Sequence, residues 1–361
     1  MPQKALIRAR AAELRATFEA AGATVAETPL LQPAEVLLDL YGEDIRARAY
    51  VTSDSLLGEQ MLRPDFTVPV VQMHMQHGAE PARYTYAGEV FRRQDADTSR
   101  ANEYTQVGYE VFDRDNPAAA DAEVFGLIHV ALADVDVRAS TGDIGLLMAA
   151  VQGLETTDRR KEALKRHIWR PRRFRALLDR YSGRMTVPQS RQALLDMDAP
   201  LQTGVPFIGL RSPDEISERI EALREDVNAA PISSVQVELL DALLDVRETL
   251  PFALERLRDI AVDMPAITHA VFSLRERIDA MDAKGIDVGA IEFEGSYGRT
   301  NMEYYDGFVF EFHAEGRADL PAVATGGRYD ALTRVLGGGN EIPAVGAVIR
   351  PEVLLALEGQ A

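Results

Sequence analysis

Apolar positions Leu6, Leu14 and Phe18 recur at multiples of four residues, which lines one side of a helix and predicts an amphipathic helix at the start of the chain. Gly22 sits where a C-terminal cap belongs. Residues from Thr24 to Leu31 read as extended, and Pro33 stands at a favourable first-turn position for a short helix over PAEVLLDLYG. Three strand-like runs follow: RARAYVTS, EQMLRPD and the longer ARYTYAGEVFRR. A short helix over VPVVQMHMQHG separates the last two. Aromatic and β-branched residues make Tyr104 to Asp113 (YTQVGYEVFD) another strand. The connection between these strands, QDADTSRANE, is too long for a tight turn and of the kind that carries function. The pattern is antiparallel sheet with helices packed outside, not the strand–helix alternation of a Rossmann fold.

Beyond Asn116-Pro117 the spacing predicts a helix to about residue 134, then a strand and turn in VDVRASTGDIGLL. From roughly 150 to 285 the chain reads as mostly helical. Pro171, Pro188, Pro200, Pro206, Pro213, Pro231, Pro251 and Pro265 mark helix starts and breaks there. Strand signals return in GAIEFEGS, DGFVFEFHA, PAVATGG and IPAVGAVIR, with short helices in RYDALTRVLGGG and PEVLLALEG. Two β-rich blocks separated by helices most economically form one sheet with a helical insertion.

Composition narrows the function classes. Of 361 residues, 46% are hydrophobic and 27% charged, which excludes wholesale disorder. The formal net charge of -18 makes nucleic acid a disfavoured partner. No cysteine is present, which excludes disulfides, thiolate metal sites and Cys nucleophiles together. The N-terminal stretch MPQKALIRARAAELRATFEAAG lacks the continuous apolar region of a signal peptide. No stretch approaches the ~18 apolar residues of a membrane span. A soluble, acidic, cytoplasmic protein is expected, without metal or cofactor. Residues 155–184 break the acidic trend, with eleven Lys/Arg against four Asp/Glu. That run suits a solvated helix face, or docking to an acidic partner or a phosphate ligand.

Four segments in the β-rich blocks carry candidate chemistry. In Leu62-Arg63-Pro64-Asp65-Phe66-Thr67, Asp65 and Thr67 face one side of an extended segment and can hold an ammonium group. Arg92 closes one strand; Gln106, Gly108 and Glu110 share a face of the next, with open space above the glycine. That set suits a small polar ligand: carboxylate for a cation, amide for a carboxyl or hydroxyl, arginine for an anion. Glu303-Tyr304-Tyr305-Asp306-Gly307 is the third segment. Gly326-Gly327-Arg328-Tyr329-Asp330 is the fourth, where small residues allow backbone to approach a ligand closely.

In this order the segments resemble the catalytic core of a class II aminoacyl-tRNA synthetase, specifically histidyl-tRNA synthetase. LRPDFT resembles that family's LRPE-x-T segment, and YAGEVFRRQDADTSRANEYTQVGYEVFD its motif 2. MEYYDGFVFE resembles the histidine-specific LDYYTGTVFE segment, and GGRYDALTRVLGG with IPAVGAVI the approach to motif 3. The resemblance implies an α+β fold: a class II synthetase-like core, with a mixed, mostly antiparallel sheet flanked by helices, over residues 1–140 and 285–361. A mostly helical insertion region covers 141–284, and no anticodon-binding domain is expected after Val353.

Departures from the family pattern carry as much information. The family's activating arginine, three residues before the Asp-Tyr-Tyr, corresponds to Thr300, with Arg299 one place away. The arginine that ends motif 3 is replaced by Val353, after Glu352. Gln94 stands for the acid that reads adenine, and Asn102 for an arginine on the outer phosphates. Each cationic group missing from an adenylation transition state typically costs ~10²–10³ in rate. The resemblance meanwhile implies a retained histidine pocket. Asp65 and Glu110 would accept from the ammonium or imidazole, Thr67 and Gln106 complete the rim, and Arg92 pairs the carboxylate. Tyr304 and Tyr305 would face the imidazole, beside Gly326, Gly327 and Arg328.

That profile is similar to a synthetase paralogue family, the regulatory subunits of ATP phosphoribosyltransferase. It implies a non-catalytic partner of the short-form catalytic subunit at the first step of histidine biosynthesis, transmitting feedback inhibition by L-histidine. A homodimer within a hetero-oligomer is expected, formed through a motif 1 region at about Pro29 to Thr52. Histidine would occupy the inherited pocket or, alternatively, the interface with the catalytic subunit. The rival readings are a free-standing class II ligase, if Arg299 or Arg350 restores nucleotide binding, and a histidyl-tRNA synthetase core.

Overall fold

The structure is a computed structural model that describes residues 3–35, 48–94, 101–202, 208–299 and 304–359. Helix α1 (Gln3–Ala20) buries Ala11, Leu14 and Phe18, the expected stripe, and Gly22 follows it at φ 98°. Short strands β1 (Thr24–Val25) and β2 (Leu31–Pro33) lead to β3 (Val51–Asp54) and β4 (Gly58–Leu62). Pro33 closes β2, and the helix predicted after it falls mostly at 36–47, outside the described residues. Helix α2 (Thr67–His77) then precedes two long strands, β5 (Ala82–Phe91) and β6 (Glu103–Phe112). Most of the QDADTSRANE connection, 95–100, and Pro206 likewise lie outside the described residues.

Helix α3 (Pro117–Ala131) starts on an Asn116 cap whose side chain accepts from Ala119 N–H, and ends three residues earlier than the pattern predicts. Strand β7 (Val137–Asp143) runs into α4 (Ile144–Gln152) through Asp143, whose side chain caps the helix at Gly145 N–H. The helical stretch holds α5 (Asp158–Arg166), α6 (Pro171–Tyr181), α7 (Gln189–Leu195), α8 (Pro213–Asn228), α9 (Ser234–Leu244), α10 (Leu250–Asp263) and α11 (Thr268–Ala283). Pro171, Pro213 and Pro251 do open helices, Pro265 opens a 3₁₀ turn, and Pro188 caps α7. Strand β8 (Arg247–Thr249) interrupts this stretch. The C-terminal block comprises β9 (Glu292–Glu294), β10 (Phe308–Ala314), β11 (Ala324–Arg328), α12 (Asp330–Leu336), β12 (Ala344–Ile349) and α13 (Pro351–Leu357).

Among the described residues, nine strands form one sheet in the order β1-β5-β6-β12-β11-β10-β7-β9-β8, and β2-β4-β3 form a second. Only β1–β5 and β7–β9 pair in parallel, so the main sheet is mixed and mostly antiparallel. The C-terminal β12 lies between β6 and β11, which closes the N- and C-terminal blocks into one sheet. The end of β7, and β8, from within 141–284, join it too.

The two faces of this sheet are covered differently. On one, α1 and α3 pack: Tyr109 meets Phe18 at 5.4 Å, and Phe125 of α3 touches Phe308, Phe310 and Phe312. These rings are almost fully buried, each worth about 1.5–3 kcal/mol of burial. The other face carries the Asp65–Thr67 segment and the candidate site.

Candidate functional site

Strand register sets the floor of the site. Glu110 on β6 stands opposite Tyr84 on β5 and Gly346 on β12, and Gly346 opposite Gly327 on β11, so these positions share one face. Gly108 lies one step along, opposite Tyr86. The glycines are required by what crosses them. A Cβ at Gly346 would stand 1.4 Å from Glu110 Oε2, and one at Gly108 would overlap the Tyr86 ring at 2.1 Å. Backbone without side chains lets the carboxylate and the phenol lie flat over the sheet.

Glu110 is almost wholly buried, and three hydroxyls enclose it. Tyr86 donates to Oε1 at 2.7 Å, Thr67 to Oε1 at 3.2 Å, and Tyr329 to Oε2 at 2.5 Å. Burial pushes its carboxyl up to about 7, against the lowering effect of those hydroxyls. Tyr86, Tyr305 and Tyr329 are all raised well above the ordinary phenol value, first by burial. They therefore stay protonated and act as donors.

Asp65, also buried, forms an ion pair with Arg92 at 2.9 Å, and Arg92 Nε donates to Pro64 O at 2.8 Å. Tyr304 is raised by burial and by the nearby Asp65 charge, and lies against Tyr305 with ring centroids 4.5 Å apart. Gln106 shares the Glu110 face and is buried; its Oε1 meets no hydrogen-bond donor among the described residues. A buried carbonyl left without a donor costs about 1–3 kcal/mol unless a ligand supplies one.

The structure thus brings Asp65, Thr67, Arg92, Gln106, Glu110, Tyr304, Tyr305 and Gly327 to one side of the sheet, with Tyr305 lying across Gly327. Gly326 and Arg328 go to the other side, and their placement corrects the expectation that the whole glycine run faces the ligand. In a strand, 326 and 328 point opposite to 327. A Cβ at Gly326 would meet Phe310 at 2.5 Å, on the helix-covered side. Arg328 donates to Asp121 at 2.6 Å, to Asp330 at 3.0 Å and to Pro117 O at 2.9 Å. Tyr86 and Tyr329 belong to the site although the sequence reading did not single them out. Both stand in quoted motifs, and Tyr86 shares parity with Tyr84, which register places opposite Glu110.

Around the site, Asp306 caps α12 by accepting from Asp330 N–H at 3.0 Å and Ala331 N–H at 2.6 Å. Burial, then the Asp330 charge, raises it to about 7. Thr300 lies outside the described residues. Val353 is buried in α13, and Glu352 accepts from Thr105 N–H at 2.6 Å. Gln94 N–H donates to Asn102 Oδ1 at 2.8 Å, so the two replaced motif 2 positions hold each other. Arg299 and Arg350 are engaged elsewhere: Arg299 Nε donates to Ile168 O at 2.9 Å and Arg350 Nη1 to Ala322 O at 2.5 Å. Arg299 sits in a turn after β9, not on a strand. Among the described residues no group of three His, Asp or Glu side chains is placed to hold a metal ion.

A mixed sheet carrying this buried carboxylate–tyrosine cage is the core of a class II synthetase-like protein. The sequence model of the histidyl-tRNA synthetase family matches residues 1–177 and 220–354. The chain is 31% identical to the ATP phosphoribosyltransferase regulatory subunits of Brucella anthropi and Brucella ovis, over 96% of this chain and 96% of each relative. The fold is similar to a solved ATP phosphoribosyltransferase regulatory subunit/histidyl-tRNA synthetase from Bacillus halodurans, with TM-score 0.70, 20% identity, and coverage of 99% of this chain and 80% of that one. A histidine–tRNA ligase subunit from Alicyclobacillus acidocaldarius matches at TM-score 0.60 and 22% identity, covering 99% and 93%. The chain belongs to the ATP phosphoribosyltransferase regulatory subunit family, a branch of the histidyl-tRNA synthetase-like class II proteins.

Proposed function

We propose that this chain is the non-catalytic regulatory subunit of an ATP phosphoribosyltransferase, acts in histidine biosynthesis, and binds L-histidine as a feedback effector in the Glu110 cage. Family membership supports the first part. The observation that carries the second is the buried acceptor set of Asp65, Glu110 and Gln106, with a Gln106 carbonyl that no described donor reaches. An α-ammonium or an imidazole N–H could supply the donor that the Gln106 carbonyl lacks, with the two carboxylates favouring a cation beside it. Tyr304 and Tyr305 would present ring faces to the imidazole, and Arg92, held by Asp65, would orient the carboxylate. Adenylation is disfavoured because Arg299 and Arg350 are tied to backbone carbonyls and Val353 is packed into the core. Regulation then requires histidine to favour one state of the assembly, typically by 1–3 kcal/mol.

The test mixes the purified chain with a short-form catalytic subunit and follows phosphoribosyl transfer. Stimulation that histidine reverses is expected; histidine-dependent ATP–pyrophosphate exchange by the chain alone would overturn the reading. If Glu110→Ala leaves inhibition unchanged, histidine binds at the interface with the catalytic subunit instead.

We further propose that two copies of the chain pair through the small sheet. Leu30, Leu31 and Val51 are about half exposed, and Leu56 and Leu57 at the β3–β4 turn are 92% and 72% exposed. These exposed apolar side chains lie within and just after the motif 1 region and are the candidates for that contact. Leu56→Glu/Leu57→Glu is expected to convert a dimer to a monomer, read by light scattering on a sizing column. An unchanged dimer mass would place the contact elsewhere.

A further inference from the structure

The basic run at 155–184 folds as α5 and α6, joined by a turn at 167–170. Much of its charge is used internally. Buried Arg160 donates to Asp226 at 2.6 Å, where Arg180 also pairs, and Arg159, Lys165 and Arg175 pair with Glu225, Glu162 and Asp241. At the turn this changes. Arg166 ends α5 and Arg172 and Arg173 stand in the first turn of α6; all three are exposed and without an ion pair among the described residues. Cations in a first turn oppose the helix macrodipole, and no side chain caps this end. Their placement is unfavourable unless an anion lies there.

A second observation points the same way. His167 Nδ1, Trp169 Nε1 and Arg299 Nη2 are buried and have no hydrogen-bond partner among the described residues. Arg299 is only 6% exposed. Its Nε donates to Ile168 O at 2.9 Å, and its guanidinium lies 4.8 Å from the ring centre of Phe174, in the first turn of α6. A buried cation from far along the chain is therefore delivered to the same turn, with one N–H edge unanswered. Such a group costs several kcal/mol unless an anion accepts from it. His167 is pushed down by burial and then by the charges of Arg170, Arg173 and Arg166.

We propose that the α5–α6 turn is a binding site for a phosphate group, with Arg299 and Trp169 as buried donors and Arg166, Arg172 and Arg173 as the outer cations. Arg299 reaches the turn at Ile168 O, Trp169 lies within the turn, and α6 begins directly after it, so guanidinium, indole and first-turn N–H donors are gathered at one turn, a set that suits a phosphate oxyanion. The site is separate from the Glu110 cage and stands whether or not that cage binds histidine.

Trp169 is the single tryptophan of the chain, so its fluorescence reports on this turn alone. The full-length chain is titrated with inorganic phosphate, pyrophosphate and ribose 5-phosphate, against potassium chloride at matched ionic strength, and calorimetry repeats each titration. A saturable response to at least one phosphate compound, absent with chloride, is expected. Free anions alone or the ester alone would identify the source of the phosphate. Arg172→Ser/Arg173→Ser, both on the surface, is expected to weaken binding about tenfold or more. Arg299→Met, where circular dichroism shows it folded, is expected to do the same. No saturable response by either method, or unchanged affinity in the Arg172/Arg173 variant, would overturn the site.

Discussion

As pH rises towards about 7, histidine binding to the isolated chain is expected to strengthen by up to about tenfold per pH unit, and to level off above about pH 8. The origin is Glu110. Its carboxyl titrates near 7 in the free protein because burial penalises the charged form more than the Tyr329, Tyr86 and Thr67 hydroxyls favour it. Those hydroxyls, from β5, α2 and the β11–α12 junction, face it directly, and Asp65 adds a further raising effect. A cationic ligand favours the carboxylate, so the complex has the lower pKa and binding releases a proton. Below 7 that proton must first be removed and affinity falls; above 7 the carboxylate is already formed. Calorimetry in buffers of different ionisation enthalpy should show close to one proton released per histidine at about pH 6.

Glu110→Gln should lose that release and bind roughly 30- to 150-fold more weakly at about pH 8, as expected for losing roughly 2–3 kcal/mol of charge-assisted hydrogen bonding. The variant keeps whatever dependence the ligand's own imidazole contributes, so the difference between the two profiles belongs to Glu110. Equal proton release from both proteins would mean that histidine does not meet this carboxylate. The same linkage acts on folding with the opposite sign. Because the folded pKa lies above the unfolded 4.5, ionisation disfavours the native state, and stability falls as pH rises from about 4.5 to about 7. A bound cation offsets that loss, so histidine should raise the melting temperature more at pH 8 than at pH 6.

Much of this site can be read from residue patterns, and what cannot has a physical reason. The β5 and β6 strands follow from aromatic and β-branched runs, and two-residue periodicity places Gln106, Gly108 and Glu110 on one face. The same periodicity separates Gly327 from Gly326 and Arg328; treating the glycine run as one ligand-facing surface overlooked it. Tyr86 required the register with Gly108, which is a pairing between strands and not a property of either. Sheet order is further from reach, since β12 enters between β6 and β11 from more than two hundred residues away. Hardest to read is the contact between Arg277 of α11 and Asp121 of α3, 156 positions apart, because nothing local in either helix requires the other.

That contact sets the largest stability effect expected. Arg277 donates to Asp121 at 2.8 Å and to Asp143 at 2.9 Å, with every partner at most 5% exposed, and its guanidinium lies 4.3 Å from the Phe308 ring centre. Asp121 also takes Arg328, so one buried network joins α3, α11, the end of β7 and the end of β11. Removing a cation from it leaves two carboxylates short of compensation in a low-dielectric interior. Arg277→Met should therefore cost about 3–5 kcal/mol and lower the melting temperature by roughly 5–10 °C. Arg138→Ala is the matched control: its pair with Glu292 is also an arginine–carboxylate contact, at 3.0 Å, but both partners are about half exposed. Solvent screening and side-chain entropy should hold its effect within about 1 kcal/mol. If thermal and urea denaturation give the two variants equal losses, the buried network contributes no more than a surface pair, and apolar packing of α11 on α3 fastens the helical region to the sheet.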